Sequence, residues 1–366
     1  MPVRLSKERM VSEMRAAIKI KSEMFEVQDI PKPAPDRQNI ITKVLRAGIC
    51  GSDLSMWKAQ SDRYDNLALG HEFCLEVEDP GTSAYKAGDR IVALPTGGCL
   101  FCDMCKQGLY SHCQNRKPDG EPYADAPGVR TQGAFAEYLK IRPELTYIVP
   151  SEMSSDVATL MEPLSFCFNC INRSIEYSGE LGRRVLITGG GIVAMLLCEI
   201  LRDKGVEYVA LTEVNPFRAK HAIETGAADE VFDPTNEEDM KSLAKVSADG
   251  FDAGFECSGK GASLDLLCRL IKRRGAIINA GITLTPISFT TLTPVMKELS
   301  IICVYGSPGK TMEEALELAG RINNRLEKHI TYPNITLEGA QKAFEYLCSN
   351  EVSAIKLVID PHKMEE

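Results

Sequence analysis

From residue 16 to about residue 160 the apolar positions fall in short runs broken by Gly, Pro and polar pairs, as in Ile40-Ile41-Thr42-Lys43-Val44 and Arg90-Ile91-Val92-Ala93-Leu94. Such runs between turn residues predict a mainly β region. From about residue 165 the rhythm changes. Residues 185–188, 208–213, 230–232, 251–257, 276–280 and 300–305 read as strands, and 192–204, 216–225, 237–246 and 262–272 carry helical spacing between them. That alternation predicts a parallel, doubly wound sheet. A helix at 312–323 and a closing strand at 354–359 read as a return to the first region. Lys272-Arg273-Arg274 reads as a solvated helix end and Glu237-Glu238-Asp239 as a helix start, each at the end where the helix dipole favours its charge.

Composition narrows the classes. The 366 residues are 44% hydrophobic and 25% charged, an ordinary globular balance with length for about two domains. No apolar run approaches the roughly 20 residues of a membrane span. Lys and Arg number 42 against 51 Asp and Glu, and the net charge of -9 repels a phosphate backbone, so neither nucleic acid nor membrane is an expected partner. The start, Met1 to Ser6, is polar and lacks a leader's apolar core, which predicts a cytoplasmic protein.

Thirteen cysteines cannot all pair within one chain, and four of them crowd together as Cys99-x2-Cys102-x2-Cys105-x7-Cys113 after Gly97-Gly98. This spacing wraps one tetrahedral cation, and four sulfur ligands close its sphere, so the metal is structural. The x7 interval and the lack of a proline after Cys113 depart from the ferredoxin pattern. Cys74, Cys167, Cys170, Cys198, Cys268, Cys303 and Cys348 sit in apolar settings and read as core fillers. Cys50 in Gly48-Ile49-Cys50-Gly51-Ser52-Asp53 and His71 in Gly70-His71-Glu72 add one soft and one imidazole ligand type.

Gly189-Gly190-Gly191-Ile192-Val193-Ala194 follows an apolar strand and opens a helix, the pattern of a dinucleotide-binding turn. Gly189 permits the turn, Gly191 lets a pyrophosphate approach the helix end, and Ala194 lets the helix lie close on the sheet. Glu213, ending the second strand, can accept the adenosine ribose hydroxyls, which argues for NAD; Arg218, five residues on, leaves room for NADP. Cys257, Ser258, Ala280 and Gly281 follow later strands and are expected at the sheet's carboxyl edge, beside the nicotinamide.

With Gly133-Ala134-Phe135-Ala136-Glu137-Tyr138 and Met161-Glu162-Pro163-Leu164 in the same order, the chain from about residue 16 to 360 resembles the zinc-dependent medium-chain alcohol dehydrogenases, in their polyol (sorbitol) and threonine dehydrogenase branch. The resemblance implies an α/β fold: a GroES-like, mainly β catalytic domain over 1–164 and 303–366, with a structural zinc loop at 97–115, and a Rossmann NAD-binding domain over 165–302. It implies that Cys50, His71 and Glu162 hold a catalytic zinc, that Glu72 is a carboxylate able to replace water on it, and that Asp53 orients His71. It implies that Ser52 passes the substrate proton onward; where the family often carries a His for the next step, Ser55 stands here.

The expected activity is hydride transfer between NAD and a secondary alcohol of a polyol, sugar, cyclitol or amino alcohol, with two zinc ions per chain, in a homodimer or homotetramer. An NADP-linked aldehyde or ketone reductase and a catalytically silent nucleotide-binding zinc protein are the alternatives. Trp57, Phe135 and positions near Tyr305 are expected to contact the substrate.

Overall fold

The computed structural model describes residues 12–115, 126–283, 286–349 and 351–365. Residues 1–11, on which the reading of the N-terminus rests, lie outside them. No described helix is long and apolar enough to cross a membrane.

Two larger sheets carry the architecture. In the first, strands from both ends of the chain meet in the order Ile330–Ile335, Lys356–Ile359, Ile40–Gly48, Glu72–Asp79, Arg90–Ala93 and Thr146–Ile148, with Tyr138–Ile141 also paired to Ile40–Gly48. Lys356–Ile359 runs antiparallel beside Ala47 and Gly48, so the closing strand lies against the segment that leads to Cys50. A three-stranded sheet of Met24–Pro31, Glu13–Lys21 and Leu67–Ala68 accompanies it.

The second sheet is parallel throughout. Its order is Glu230–Phe232, Tyr208–Thr212, Arg184–Thr188, Phe251–Glu256, Ile271–Asn279 and Ser300–Cys303. Val185, Leu186 and Ile187 are each fully buried, as a central strand covered on both faces requires. The strand order reverses between Arg184–Thr188 and Phe251–Glu256, and a crevice at the carboxyl ends of such a pair is where doubly wound sheets bind ligands. One apolar cluster joins the two sheets, running from Cys74 and Val92 through Met161 and Leu164 to Ile187 and Leu318. Helix Met161–Ser178 crosses residue 164 unbroken and packs on helix Gly309–Glu327.

Two expectations fail locally. The helix before Lys272 ends at Leu270, and Lys272-Arg273-Arg274 lies in strand Ile271–Asn279. Ile271 is fully buried opposite Phe251 and draws the chain into the sheet early; Arg274 at φ +60° and a slip in the ladder absorb the surplus residues. Cys303 is exposed on the outermost strand and Cys348 is half-buried, so neither fills the core. Cys74, Cys167, Cys170, Cys198 and Cys268 are buried as expected.

Candidate active site

Cys50 ends the approach from Ile40–Gly48 and caps helix Gly51–Lys58, while His71 and Glu72 open strand Glu72–Asp79. The turn before His71 needs glycine: Gly70 has φ +91°, and a Cβ there would lie 2.6 Å from the Phe135 ring. Donor atoms of Cys50, His71 and Glu72 all lie within 4.8 Å of one another. Asp53, fully buried, ties the two ligand segments together. It accepts the Cys50 N–H at 2.9 Å and lies 3.1 Å from His71 Nδ1, which leaves Nε2 for the centre. Ser52 Oγ is 3.2 Å from both Cys50 Sγ and His71 Nε2, on the exposed side of the cluster.

The electrostatics of this cluster call for a cation. Burial disfavours a charged His71, yet the Asp53 carboxylate and the Cys50 thiolate outweigh it and raise its pKa well above 6.5. Burial, with Glu72 nearby, pushes Glu162 up to about 7, against the pull of His71 and Lys356. Glu162 therefore faces the cluster from helix Met161–Ser178, although it is not a member of the closest donor group. Glu72 Oε1 is buried without a partner, an orphaned acceptor of the kind a metal ion satisfies.

The other oxygen of Glu72 is held by Lys356, which the sequence reading missed. The ammonium pairs with Glu72 Oε2 and donates to the Ile49 carbonyl at 3.0 Å, and both side chains are buried. Its signal was a lone lysine inside the apolar run Ala354-Ile355-Lys356-Leu357-Val358-Ile359, where a buried cation requires a partner.

The four cysteines of the loop converge as their spacing predicts, with sulfurs within 4.8 Å of one another. The N–H groups of Cys102 and Cys99 point at Cys99 Sγ and Cys113 Sγ, each at 3.3 Å, and Asn115 Nδ2 donates to Cys99 Sγ at 3.1 Å. Burial opposes the thiolate at Cys99, but the N–H of Phe101, with Asn115 and the Cys102 N–H, brings its pKa down to about 6; burial and the neighbouring sulfurs push Cys105 up to about 12. Four sulfurs crowded in this way fit one divalent cation.

At the crevice, Gly189 has φ +91° and turns the chain after Arg184–Thr188, and Gly191 precedes helix Ile192–Asp203 with no side-chain cap and open space where a Cβ would stand. That opening at a helix N-terminus fits a pyrophosphate. Ala194 is fully buried against the sheet. Glu213 accepts the Gly190 N–H at 2.5 Å and the Asn215 N–H at 2.7 Å, which fixes its carboxylate at the edge of the opening. Arg218 turns its Nε toward the Ala354 carbonyl at 3.3 Å, so part of its guanidinium bridges to the segment that leads to Lys356. Cys257 and Ser258 follow Phe251–Glu256, and Ala280 and Gly281 follow Ile271–Asn279, all at the carboxyl edge. Glu256, also missed, shapes this edge: it is buried and accepts the N–H and Oγ of Ser258 at 2.8 and 2.5 Å and the N–H of Gly259 at 3.0 Å.

One expectation about the substrate side changes. Trp57 and Phe135 are buried with Phe25 and Phe344 in an aromatic cluster, ring centroids 4.9 to 6.4 Å apart, and so belong to the core of the first sheet. Tyr305 is exposed. Ser55 Oγ turns back to the Gly51 carbonyl at 3.4 Å and offers no onward step from Ser52.

The sequence matches the pattern described as an alcohol dehydrogenase GroES-like domain over residues 36–151 and that of a zinc-binding dehydrogenase over 193–321. L-threonine 3-dehydrogenase of Coxiella burnetii is 29% identical over 337 residues, covering 89% of this chain and 94% of the relative. Among solved structures, 2R,3R-butanediol dehydrogenase from Bacillus subtilis superposes with a TM-score of 0.81 at 23% identity, covering 95% of this chain and 100% of the other. Galactitol-1-phosphate dehydrogenase from Escherichia coli does so with a TM-score of 0.82 at 21% identity and the same coverage. At that identity the likeness shows the fold.

Proposed function

Since the chain belongs to the zinc-binding medium-chain dehydrogenase family, with a GroES-like domain joined to a Rossmann-like one, we propose that it transfers a hydride between NAD and a secondary alcohol of a small polar molecule. The observation that carries this reading is the gathering of Cys50, His71 and Glu72 donor atoms within 4.8 Å, with the Ser52 hydroxyl 3.2 Å from two of them.

Bound zinc supplies positive charge that makes an alcohol more acidic, and bound NAD supplies the hydride acceptor. Cys50, His71 and Glu162 would hold the metal, with Glu72 Oε1, whose donor atom lies with those of Cys50 and His71, as the carboxylate oxygen beside them. Asp53 keeps the His71 ring turned with Nε2 inward. Ser52 Oγ takes the alcohol's proton; with Ser55 turned away, that proton leaves to solvent on the exposed side. Glu213 would accept the adenosine ribose hydroxyls of NAD, and exposed Val214 beside it offers no cation for a 2'-phosphate. Four cysteines, Cys99, Cys102, Cys105 and Cys113, hold a second, structural zinc.

A homo-oligomer is supported by the open outer edge of Ser300–Cys303, preceded by exposed Leu292, Val295 and Met296. Light scattering that finds a monomer would remove it. The activity is tested with zinc-loaded protein against polyols, sugars, cyclitols and amino alcohols, following reduced nicotinamide with NAD and with NADP. Absence of turnover throughout the panel overturns the dehydrogenation reading, and a higher kcat/KM with NADP overturns the NAD assignment.

A further inference from the structure

A cavity of about 240 Å³ lies where the cysteine loop, helix Met161–Ser178 and residues 303–308 meet. Its titratable lining groups are Arg173, His112, Cys303 and Tyr305; among the described residues no Asp or Glu lines it, in a chain whose net charge is -9. Pro308, also in the wall, is the N-cap of helix Gly309–Glu327, which has no side-chain cap, so the positive end of the helix lies beside the cavity, with the Gly309 N–H donated to the Gly108 carbonyl at 3.0 Å. Ser307 is 7% exposed, lines the cavity, and its hydroxyl has no hydrogen-bond partner among the described residues. A buried donor without an acceptor is costly, and a bound oxyanion would recover that cost.

The neighbouring side chains are held in place for such a role. Asn169 Nδ2 donates to the Gly306 carbonyl at 2.7 Å and fixes the loop that carries Tyr305 and Ser307. Arg173 gives one nitrogen to Glu176 at 2.5 Å, which leaves the rest of its five-donor fork for a ligand. His112 meets the Tyr305 ring edge-on at 6.1 Å.

Position ties the cavity to the metal cluster. Asn169 and Arg173 stand seven and eleven residues after Glu162, on the same face of one helix, and so roughly 10 to 16 Å further along its axis. We propose that this cavity is an oxyanion subsite that takes a remote carboxylate or phosphate monoester of the alcohol substrate. At about 1.2 Å per bond of extended chain, a span of roughly 10 Å corresponds to about eight bonds. The substrate is then a hydroxy acid or an alcohol phosphate of that reach, a class narrower than the small polar alcohols proposed above, on which this subsite rests.

Two measurements on the zinc-loaded, NAD-saturated chain decide it. First, inorganic phosphate and acetate are titrated separately and followed by calorimetry. Binding of either, weakened at least tenfold by Ser307→Ala and by Arg173→Gln and partly kept by Arg173→Lys, supports the subsite; the stronger of the two separates phosphate from carboxylate. Second, kcat/KM is compared for a hexitol, its terminal phosphate and its terminal carboxylic acid. The expected preference for one acid is at least tenfold, falling toward unity in both variants. No anion binding, or binding and preference unchanged by both substitutions, overturns the subsite. Anion binding that depends on Arg173 and Ser307 without turnover of any alcohol leaves the subsite standing and overturns the dehydrogenation reading.

Discussion

Lys356→Met removes one charge from a pair that has no access to water. The two side chains are 0% and 1% exposed, and the ammonium also serves the Ile49 carbonyl at 3.0 Å. In the zinc-free protein, removing one partner of such a pair leaves a buried uncompensated charge, at about 3–5 kcal/mol. Methionine keeps the stem's volume, so packing adds little. In Glu72→Gln/Lys356→Met no charge is stranded, and the cost should fall to about 1–2 kcal/mol, below that of Lys356→Met alone. The exposed pair Lys241–Glu237 is the comparison: Lys241→Met should cost less than about 0.5 kcal/mol. Urea unfolding followed by fluorescence suits the measurement, because Trp57 is the sole tryptophan and lies in the aromatic cluster of the first sheet. A cost below about 1 kcal/mol for Lys356→Met, or a double variant as unstable as the two singles added, would refute the reasoning.

Three further outcomes are expected. Cys102→Ser should lose one zinc by elemental analysis and unfold at lower temperature, whereas His71→Asn should lose a different zinc and keep its far-UV spectrum and Tm; equal loss of stability in both would join the sites. Ser52→Ala should lower kcat about 10²-fold with zinc content unchanged, the range for losing a positioned proton acceptor, with a substrate deuterium isotope effect confirming that the chemical step is observed. His221, whose pKa burial and the adjacent His329 hold down to about 4, is neutral when folded but takes up a proton below about 6.5 when unfolded. Stability is therefore full above pH 6.5 and declines toward pH 4, by about 1–2 kcal/mol after discounting its half exposure; His221→Gln should flatten that slope, and an identical slope would remove His221 as its source.

What the sequence disclosed depended on the range of the interactions involved. The cysteine loop and the Gly189–Gly191 turn were legible because their ligands and φ requirement lie within a few residues. The parallel strands were legible because Val185-Leu186-Ile187 must be apolar on both faces. Trp57 and Phe135 were misread because only the fold brings Phe25 and Phe344 against them. Lys272-Arg273-Arg274 was misread because the burial of Ile271 beside Phe251, twenty residues away, overrides helical spacing. The partner of Glu72 and the chain His221–His329–Glu199 join positions more than a hundred residues apart, where no local pattern records the pairing.

The placement of Lys356 also sets a timetable. It follows Glu72 by 284 residues, and at about 5–20 residues per second a ribosome needs roughly 15 to 60 seconds to pass from one to the other. During that interval the Ala47–Gly48 edge has no closing strand and the Glu72 carboxylate has no counter-charge. The nascent first sheet cannot bury its reactive end, whereas the strands of the parallel sheet are complete at Cys303, ahead of the helix Gly309–Glu327 that finishes the shared apolar cluster. Translation thus delivers the parallel strands ahead of an open, negatively charged first half, in which a cation arriving early would stand in for the lysine still unmade.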